Sequence, residues 1–227
     1  MNLDTQTFAA MIDHTLLKPD ATKKQFEVLC AEARQYKFAM VAINPYPVSM
    51  CSELLDGSGV GVGAAISFPL GQLTIDEKVN ETRSAIADGA TEIDYVVNIT
   101  ELKAGNQDYI TEEMTGIVEV CRDANVVSKV IFENCYLTDE EKTTLANIAR
   151  EVKPDFIKTS TGFGPGGATL TDVKLMKSIV GDDVQVKAAG GIRSLDDALA
   201  FVEAGATRIG TSSGVALVKE FNKRYGN

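Results

Sequence analysis

The chain has 227 residues, 44% of them apolar, and a net charge of −10. That length suits a large α/β domain with a full core. The acidic balance argues against a nucleic-acid or membrane-surface partner, because phosphate groups would repel it. Four scattered cysteines, Cys30, Cys51, Cys121 and Cys135, form no CxxC pair, and the single His14 removes most zinc-site patterns. Reduced thiols and a cytoplasmic location are therefore expected. Met1-Asn2-Leu3-Asp4 has neither the basic region nor the apolar run of a signal peptide. No stretch is long and apolar enough to span a bilayer.

In chain order, residues 5–11 read as a short helix and Ile12 to Leu17 as the first strand. Asp20-Ala21-Thr22 caps a helix to about Tyr36, with Phe26, Leu29, Cys30 and Ala33 on one face. Phe38–Ile43 is a second strand, ended by Asn44-Pro45, and Val48–Leu55 a helix. A third strand, Val60–Phe68, precedes a helix over Thr74–Asp88 that stops at Gly89. Glu92–Asn98 is the fourth strand, Asn106–Asp123 a helix, and Ser128–Glu133 the fifth strand. Thr138-Asp139-Glu140-Glu141 opens a helix with a capping-box pattern. The strand around Lys158, a helix over Thr169–Val180, the strand around Lys187 and a helix over Ser194–Ala204 follow. Arg208–Ser212 is the eighth strand, and a last helix runs to Tyr225.

Eight strand–helix units of roughly 28 residues predict a closed parallel (β/α)₈ barrel, the TIM barrel. An open doubly wound sheet is the alternative, but the dinucleotide fingerprint is missing after the first strand. With no linker or low-complexity segment, residues 1–227 read as one domain.

Phe156-Ile157-Lys158-Thr159-Ser160 places a lysine inside an apolar strand, where an unpaired charge is rarely buried. With Ile157 and Thr159 facing the helices, Lys158 and Ser160 point into the barrel. Lys187 repeats the setting, followed by Gly190-Gly191. The plain reading of one such lysine is a strand-end side chain that snorkels to water. Two of them facing one cavity suggest amine chemistry on a carbonyl. Strand ends, where this fold places catalysis, supply Asp13, Asn44, Asp94, Asn98, Lys129, Glu133, Lys158, Ser160 and Lys187. Asp94 needs a partner, and the lysines across the barrel are the candidates; a merely structural ion pair is the competing reading. Gly190, Gly191, Ser212 and Ser213 lie in the loops after strands seven and eight, where backbone N–H groups and a helix start favour phosphate. Singly, each is also an ordinary turn or cap.

These motifs together resemble deoxyribose-phosphate aldolase, a class I aldolase family. The resemblance rests on Ile12-Asp13-His14-Thr15-Leu16-Leu17-Lys18, Phe68-Pro69-Leu70-Gly71, Glu92-Ile93-Asp94, Lys129-Val130-Ile131, Lys158 to Phe163, Lys187 to Gly191 and Gly210 to Val215. It implies a metal-independent TIM barrel with no cofactor, often dimeric, with an expected place in deoxyribonucleotide catabolism. It implies Lys158 as the Schiff-base lysine, with Lys187 and Asp94 as the proton relay. Asp13, Lys129, Thr159, Gly162, Gly190, Gly191, Ser212 and Ser213 are the implied substrate-binding set. Ala42, Ser128 and Asn134 depart from the cysteine, leucine and threonine that the family pattern leads one to expect. A terminal tyrosine matches loosely at Tyr225. The implied reaction is reversible cleavage of 2-deoxyribose 5-phosphate into acetaldehyde and glyceraldehyde 3-phosphate. Another Schiff-base lyase or transferase on a different phosphosugar is the nearest alternative. A non-covalent phosphosugar isomerase, which would need a carboxylate or histidine base, and a non-catalytic phosphosugar-binding barrel are the others.

Overall fold

The structure is a computed structural model that describes residues 3–226; Met1, Asn2 and Asn227 lie outside it. Eight parallel strands close in sequence order, with β1 beside β8. They are β1 (Ile12–Leu16), β2 (Met40–Ile43), β3 (Gly61–Ile66), β4 (Glu92–Val96), β5 (Val127–Ile131), β6 (Phe156–Lys158), β7 (Gln185–Ala189) and β8 (Arg208–Thr211). The flanking helices are α1 (Thr5–Ala9), α2 (Lys23–Tyr36), α3 (Val48–Leu55), α4 (Ile75–Ala87), α5 (Ile99–Lys103), α6 (Gln107–Asp123), α7 (Asp139–Val152), α8 (Leu170–Val180), α9 (Leu195–Glu203) and α10 (Gly214–Tyr225). Among the described residues, closure leaves no strand edge unpaired.

The two faces of each strand have different chemistry. Val41, Ile43, Val62, Ala64, Ile93, Tyr95, Val130, Ile157, Val186, Ala188 and Ile209 point outward into one apolar core shared with the helices. The intervening residues point inward, and they are charged or small more often than apolar: Asp13, Glu92, Asp94, Lys129, Lys158, Lys187 and Arg208, beside Met40, Ala42, Gly63 and Gly210. A Cβ at Gly63 would collide with the Met40 sulfur, so the thin β3 wall makes room for that side chain. Barrel interiors of this class are usually filled by branched apolar residues; this one has a cluster of ions at its centre, beside Met40, Val96, Ile131 and Phe156.

Helix starts follow the sequence closely. Thr74 and Thr138 both form capping boxes, with Glu77 and Glu141 reaching back to their N–H groups. Three strand ends fall two residues short of the expectation. The third strand stops at Ile66 rather than Phe68. The fourth strand stops at Val96, and Asn98 instead caps the unforeseen α5 by accepting from the N–H groups of Thr100 (3.1 Å) and Glu101 (3.3 Å). The fifth stops at Ile131; Glu133 takes left-handed backbone (φ 56°) and leads into a single 3₁₀ turn over Asn134–Tyr136.

A buried clamp fixes the end of β4 from outside. The Lys78 ammonium donates to the Val96 carbonyl (2.8 Å) and to Glu113 Oε1 (2.5 Å), while Glu113 Oε2 accepts from the Asn98 N–H (3.1 Å). Burial pushes the Lys78 pKa down and the Glu113 pKa up, and their mutual attraction opposes both shifts. The clamp holds the backbone two residues beyond Asp94.

Candidate active site

Strand register assembles the charged interior. Lys158 pairs with Lys187, and Lys187 with Arg208, so three cations stand side by side on β6, β7 and β8. Asp94 pairs with Lys129 across β4 and β5. Because parallel register partners project to the same face, the four cations and their carboxylates meet in one volume.

Asp94 is the hub. Its Oδ1 accepts from Lys129 (2.8 Å), and its Oδ2 accepts from both Lys158 (2.8 Å) and Lys187 (2.6 Å). Lys129 has a second carboxylate in Glu92 (2.5 Å), and Lys187 a second in Asp13 (2.5 Å). Arg208 closes the network from below, 2.7 Å from Asp13 Oδ1 and 3.3 Å from Glu92 Oε2. Burial alone would raise the Asp94 pKa, but the three lysines outweigh it and hold the carboxyl far below its usual range. Asp13 behaves alike: burial pushes it up, and Lys187, Arg208 and Lys129 bring it below the ordinary value.

Lys158 is the cation with the least support. It is 4% exposed and reaches one carboxylate, which it shares. Burial lowers its pKa, Asp94 pulls it back up, and Lys187 and Lys129 push it down again; the result is about 8. The Phe68 ring lies 5.8 Å from its ammonium, and Phe163 meets Phe68 edge-on.

Above the cluster opens a cavity of about 360 Å³, lined by Lys158, Lys187, Thr161 to Phe163, Gly190 to Arg193, and Thr211-Ser212. Lys18, in the loop after β1, and Arg193, in the loop after β7, both exposed, add positive charge at its mouth. Gly190 (φ 89°) and Gly191 (φ 80°) adopt backbone that favours glycine, and Gly167 packs so tightly on the Gly190 carbonyl that no Cβ fits there. The third wall, after β6, is held by Glu133. Its carboxylate accepts from the Thr161 N–H (3.1 Å) and from the Thr161 hydroxyl, which in turn accepts from the Phe163 N–H (3.0 Å). A larger groove of about 930 Å³ lies outside the barrel between α6 and α7. Asp108, Glu112, Glu119 and Glu151 line it, and it has no lysine or arginine, so it does not suit an anion.

The structure thus brings together Lys158, Lys187, Gly162, Gly190, Gly191 and Ser212 at one cavity. Asp94 lies just beneath it. Asp13 and Lys129, expected among the substrate contacts, are instead fully buried below the cavity, where they hold other ions. Thr159 is also buried, its hydroxyl donating to the Ala189 carbonyl (3.1 Å) and tying β6 to β7. Ser213 sits at the N-cap position of α10 without a side-chain capping bond and spends its N–H on Thr211 Oγ1 (2.9 Å), leaving Ser212 as the serine that faces the cavity. Asp94 touches both Lys187 and Lys158. Tyr225 packs on Phe221 with the rings tilted by 53° (centroids 5.0 Å), beside Leu3 and Leu199 at the barrel end opposite the cavity. His14 points outward to Glu32 (2.7 Å), which removes it as a base for an isomerase. Of the departures, Ala42 faces inward near Met40, Ser128 bonds Asp155 (2.9 Å), and Asn134 touches the Met176 sulfur. Glu92, Arg208, Lys18 and Arg193 went unassigned in the sequence; inward parity with Asp94 and Gly210 marks the first two.

A buried amine of lowered pKa at the floor of a barrel cavity fits the class of lysine-dependent aldolases. The family model described as DeoC/LacD family aldolase matches residues 7–220, and the chain belongs to that family. It is 58% identical over 222 residues to a deoxyribose-phosphate aldolase of Bacteroides thetaiotaomicron, covering 98% of this chain and 93% of the relative. It is also 58% identical to that of Lactobacillus acidophilus, covering 99% and 94%. The tetrameric deoxyribose phosphate aldolase of Aeropyrum pernix superposes with a TM-score of 0.90 at 34% identity, covering 97% of this chain and 93% of that one.

Lys187→Met keeps the side-chain volume and deletes a cation beside Lys158. The expected result is a raised Lys158 pKa, with activity lost most near neutral pH and partly restored as pH rises. A rate–pH profile whose midpoint matches the wild type would show that Lys187 does not tune its neighbour.

Proposed function

We propose that Lys158 is the nucleophile in the reversible aldol cleavage of 2-deoxyribose 5-phosphate. The observation that carries this is a buried lysine at the cavity floor, with a pKa lowered to about 8 and one shared counter-ion. At pH 7 about a tenth of such an amine is neutral, against well under a thousandth for an ordinary lysine.

The neutral amine adds to the aldehyde carbon of the open-chain sugar, and loss of water leaves a protonated imine. Asp94 and Lys187 take the proton of the C3 hydroxyl. The C2–C3 bond breaks, its electron pair passing into the imine to give an enamine, and glyceraldehyde 3-phosphate leaves. Protonation at C2 and hydrolysis release acetaldehyde and restore the amine. Each step reverses, so the enzyme also joins aldehydes. Asp94, held far below its usual pKa by three lysines, is a weak base on its own. The Lys187 ammonium has no lone pair to spare, so it takes the hydroxyl proton only as it hands one of its own to Asp94 across their 2.6 Å contact, which leaves the Asp94 carboxyl as the proton's final holder.

The phosphate is placed against Gly190, Gly191 and Ser212, at the start of α10, within reach of Lys18 and Arg193. Gly162 and the Phe163 wall close over the sugar. Asp13, Lys129, Thr159 and Ser213 act from behind this surface as supports. The chemistry assigned here uses protein side chains alone. The enzyme is placed in the cytoplasm; its four cysteines are unpaired thiols, which suits a reducing compartment, and no helix among the described residues is long and apolar enough to cross a membrane. The tetrameric Aeropyrum pernix relative supports self-association of this chain, for which a homodimer is the simplest closed form.

Borohydride reduction in the presence of acetaldehyde, followed by peptide mass mapping, tests the nucleophile. The expected product is a reduced two-carbon adduct on Lys158. An unmodified Lys158 peptide from fully active enzyme would overturn the assignment. For the phosphate site, Ser212→Asp sets like charge against the anion. KM for the phosphorylated sugar should rise about tenfold or more, the effect of roughly 1.4 kcal/mol, while unphosphorylated deoxyribose is little affected. Equal losses on both sugars would remove the phosphate from this corner.

A further inference from the structure

Arg208 stands at the floor of the barrel, on the first residue of β8, and does not line the substrate cavity. It is nonetheless tied into the ion cluster. Its Nη1 lies 2.7 Å from Asp13 Oδ1 and 3.3 Å from each oxygen of Glu92, and its guanidinium sits 5.1 Å from the Phe156 ring centroid.

The cluster contains four cations, Lys129, Lys158, Lys187 and Arg208, and three carboxylates, Asp13, Glu92 and Asp94. Fully ionised, it carries one excess positive charge. All seven side chains are buried or nearly so, and unbalanced charge is costly in such a volume. Loss of one proton restores neutrality. Arginine does not release a proton in proteins. Lys129 is braced by Glu92 and Asp94, and Lys187 by Asp13 and Asp94. Lys158 shares the single carboxylate of Asp94 and so is the cheapest cation to neutralise.

We propose that Arg208 is a positioning residue for the aldolase reaction: by occupying Asp13 and Glu92 from the barrel floor, it leaves the cluster one cation in excess and makes Lys158 the amine that yields its proton. Without Arg208, three lysines face three carboxylates, and Lys158 can stay protonated at no cost in balance. The groups facing Arg208 are Asp13 of β1, Glu92 of β4, Lys129 of β5 and Lys187 of β7. Those facing Lys158 are Asp94, Lys187 and Lys129. Asp13 offers the one competing outcome, since it could take up the proton itself once Arg208 is gone.

The inference rests on Lys158 as the imine-forming lysine, and the test separates the two. The initial rate of borohydride trapping of acetaldehyde on Lys158 is measured against pH in the full-length wild type, Arg208→Met, Arg208→Lys and Glu92→Gln. The midpoint should rise by about one pH unit in Arg208→Met, which loses a cation, and fall in Glu92→Gln, which loses a carboxylate. Arg208→Lys keeps the charge and should match the wild type. An Arg208→Met midpoint equal to that of the wild type, with thermal melting showing a folded protein, would overturn the proposal. So would a Glu92→Gln midpoint that stays or rises, which decides the matter even if Arg208→Met fails to fold. No Lys158 adduct in the wild type would instead overturn the choice of nucleophile.

Discussion

Everything at the mouth of this barrel depends on one carboxylate shared among three ammonium groups. Asp94 is buried on β4 and reaches Lys129, Lys158 and Lys187 at hydrogen-bond distance. Asp94 can accept from all three, but its single negative charge balances only one cation. Lys129 and Lys187 each have another partner, so the deficit falls on Lys158. The same atom, Asp94 Oδ2, that holds Lys158 in place also touches Lys187. Orientation of the nucleophile, depression of its pKa and a proton path therefore share one set of contacts.

The barrel can hold such a cluster because its stability comes from elsewhere. The apolar core lies between strands and helices, and it is continuous around the whole barrel. The interior is thereby free to carry ions, a sulfur and glycines beside a few apolar side chains such as Phe156 and Ile131. Buried ion pairs add little net stability, but deleting one partner of such a pair costs about 3–5 kcal/mol. The arrangement resists change while contributing little to folding, which is what a reactive site on a rigid scaffold requires. The Lys78–Glu113 clamp behind β4 extends this logic outward, since it fixes the strand end that carries the hub.

Much of this was legible in the sequence, for physical reasons. Period-two alternation separates Ile157 from Lys158 and Val186 from Lys187, so the reactive pair announces its own direction. Eight strand–helix repeats with Thr and Asn caps specify the barrel. Gly-Gly after β7 and the serine before α10 mark the anion corner. What the sequence hid was depth. Asp13 and Lys129 share the inward parity of the reactive lysines, yet strand tilt sets them below the cavity rather than on its wall. Arg208 and Glu92 begin their strands, a position that reads as solvent-facing until closure brings β8, β1 and β4 together. Asn98 sits after a β-branched run and continues the strand pattern, and only its side-chain bonds to Thr100 and Glu101 reveal a helix cap. Tyr225 ends a helix that runs away from the mouth, so proximity to the chain end said nothing of proximity to the site.

The central claim is that Lys158 titrates well below an ordinary lysine because the cluster leaves it short of negative charge. Titration of the apo enzyme labelled with ¹³C at lysine Cε reads this directly, with the Lys158 resonance assigned by its loss in Lys158→Arg. The account predicts a midpoint near 8 for that resonance. A Lys158 midpoint close to the ordinary 10.5 would contradict it.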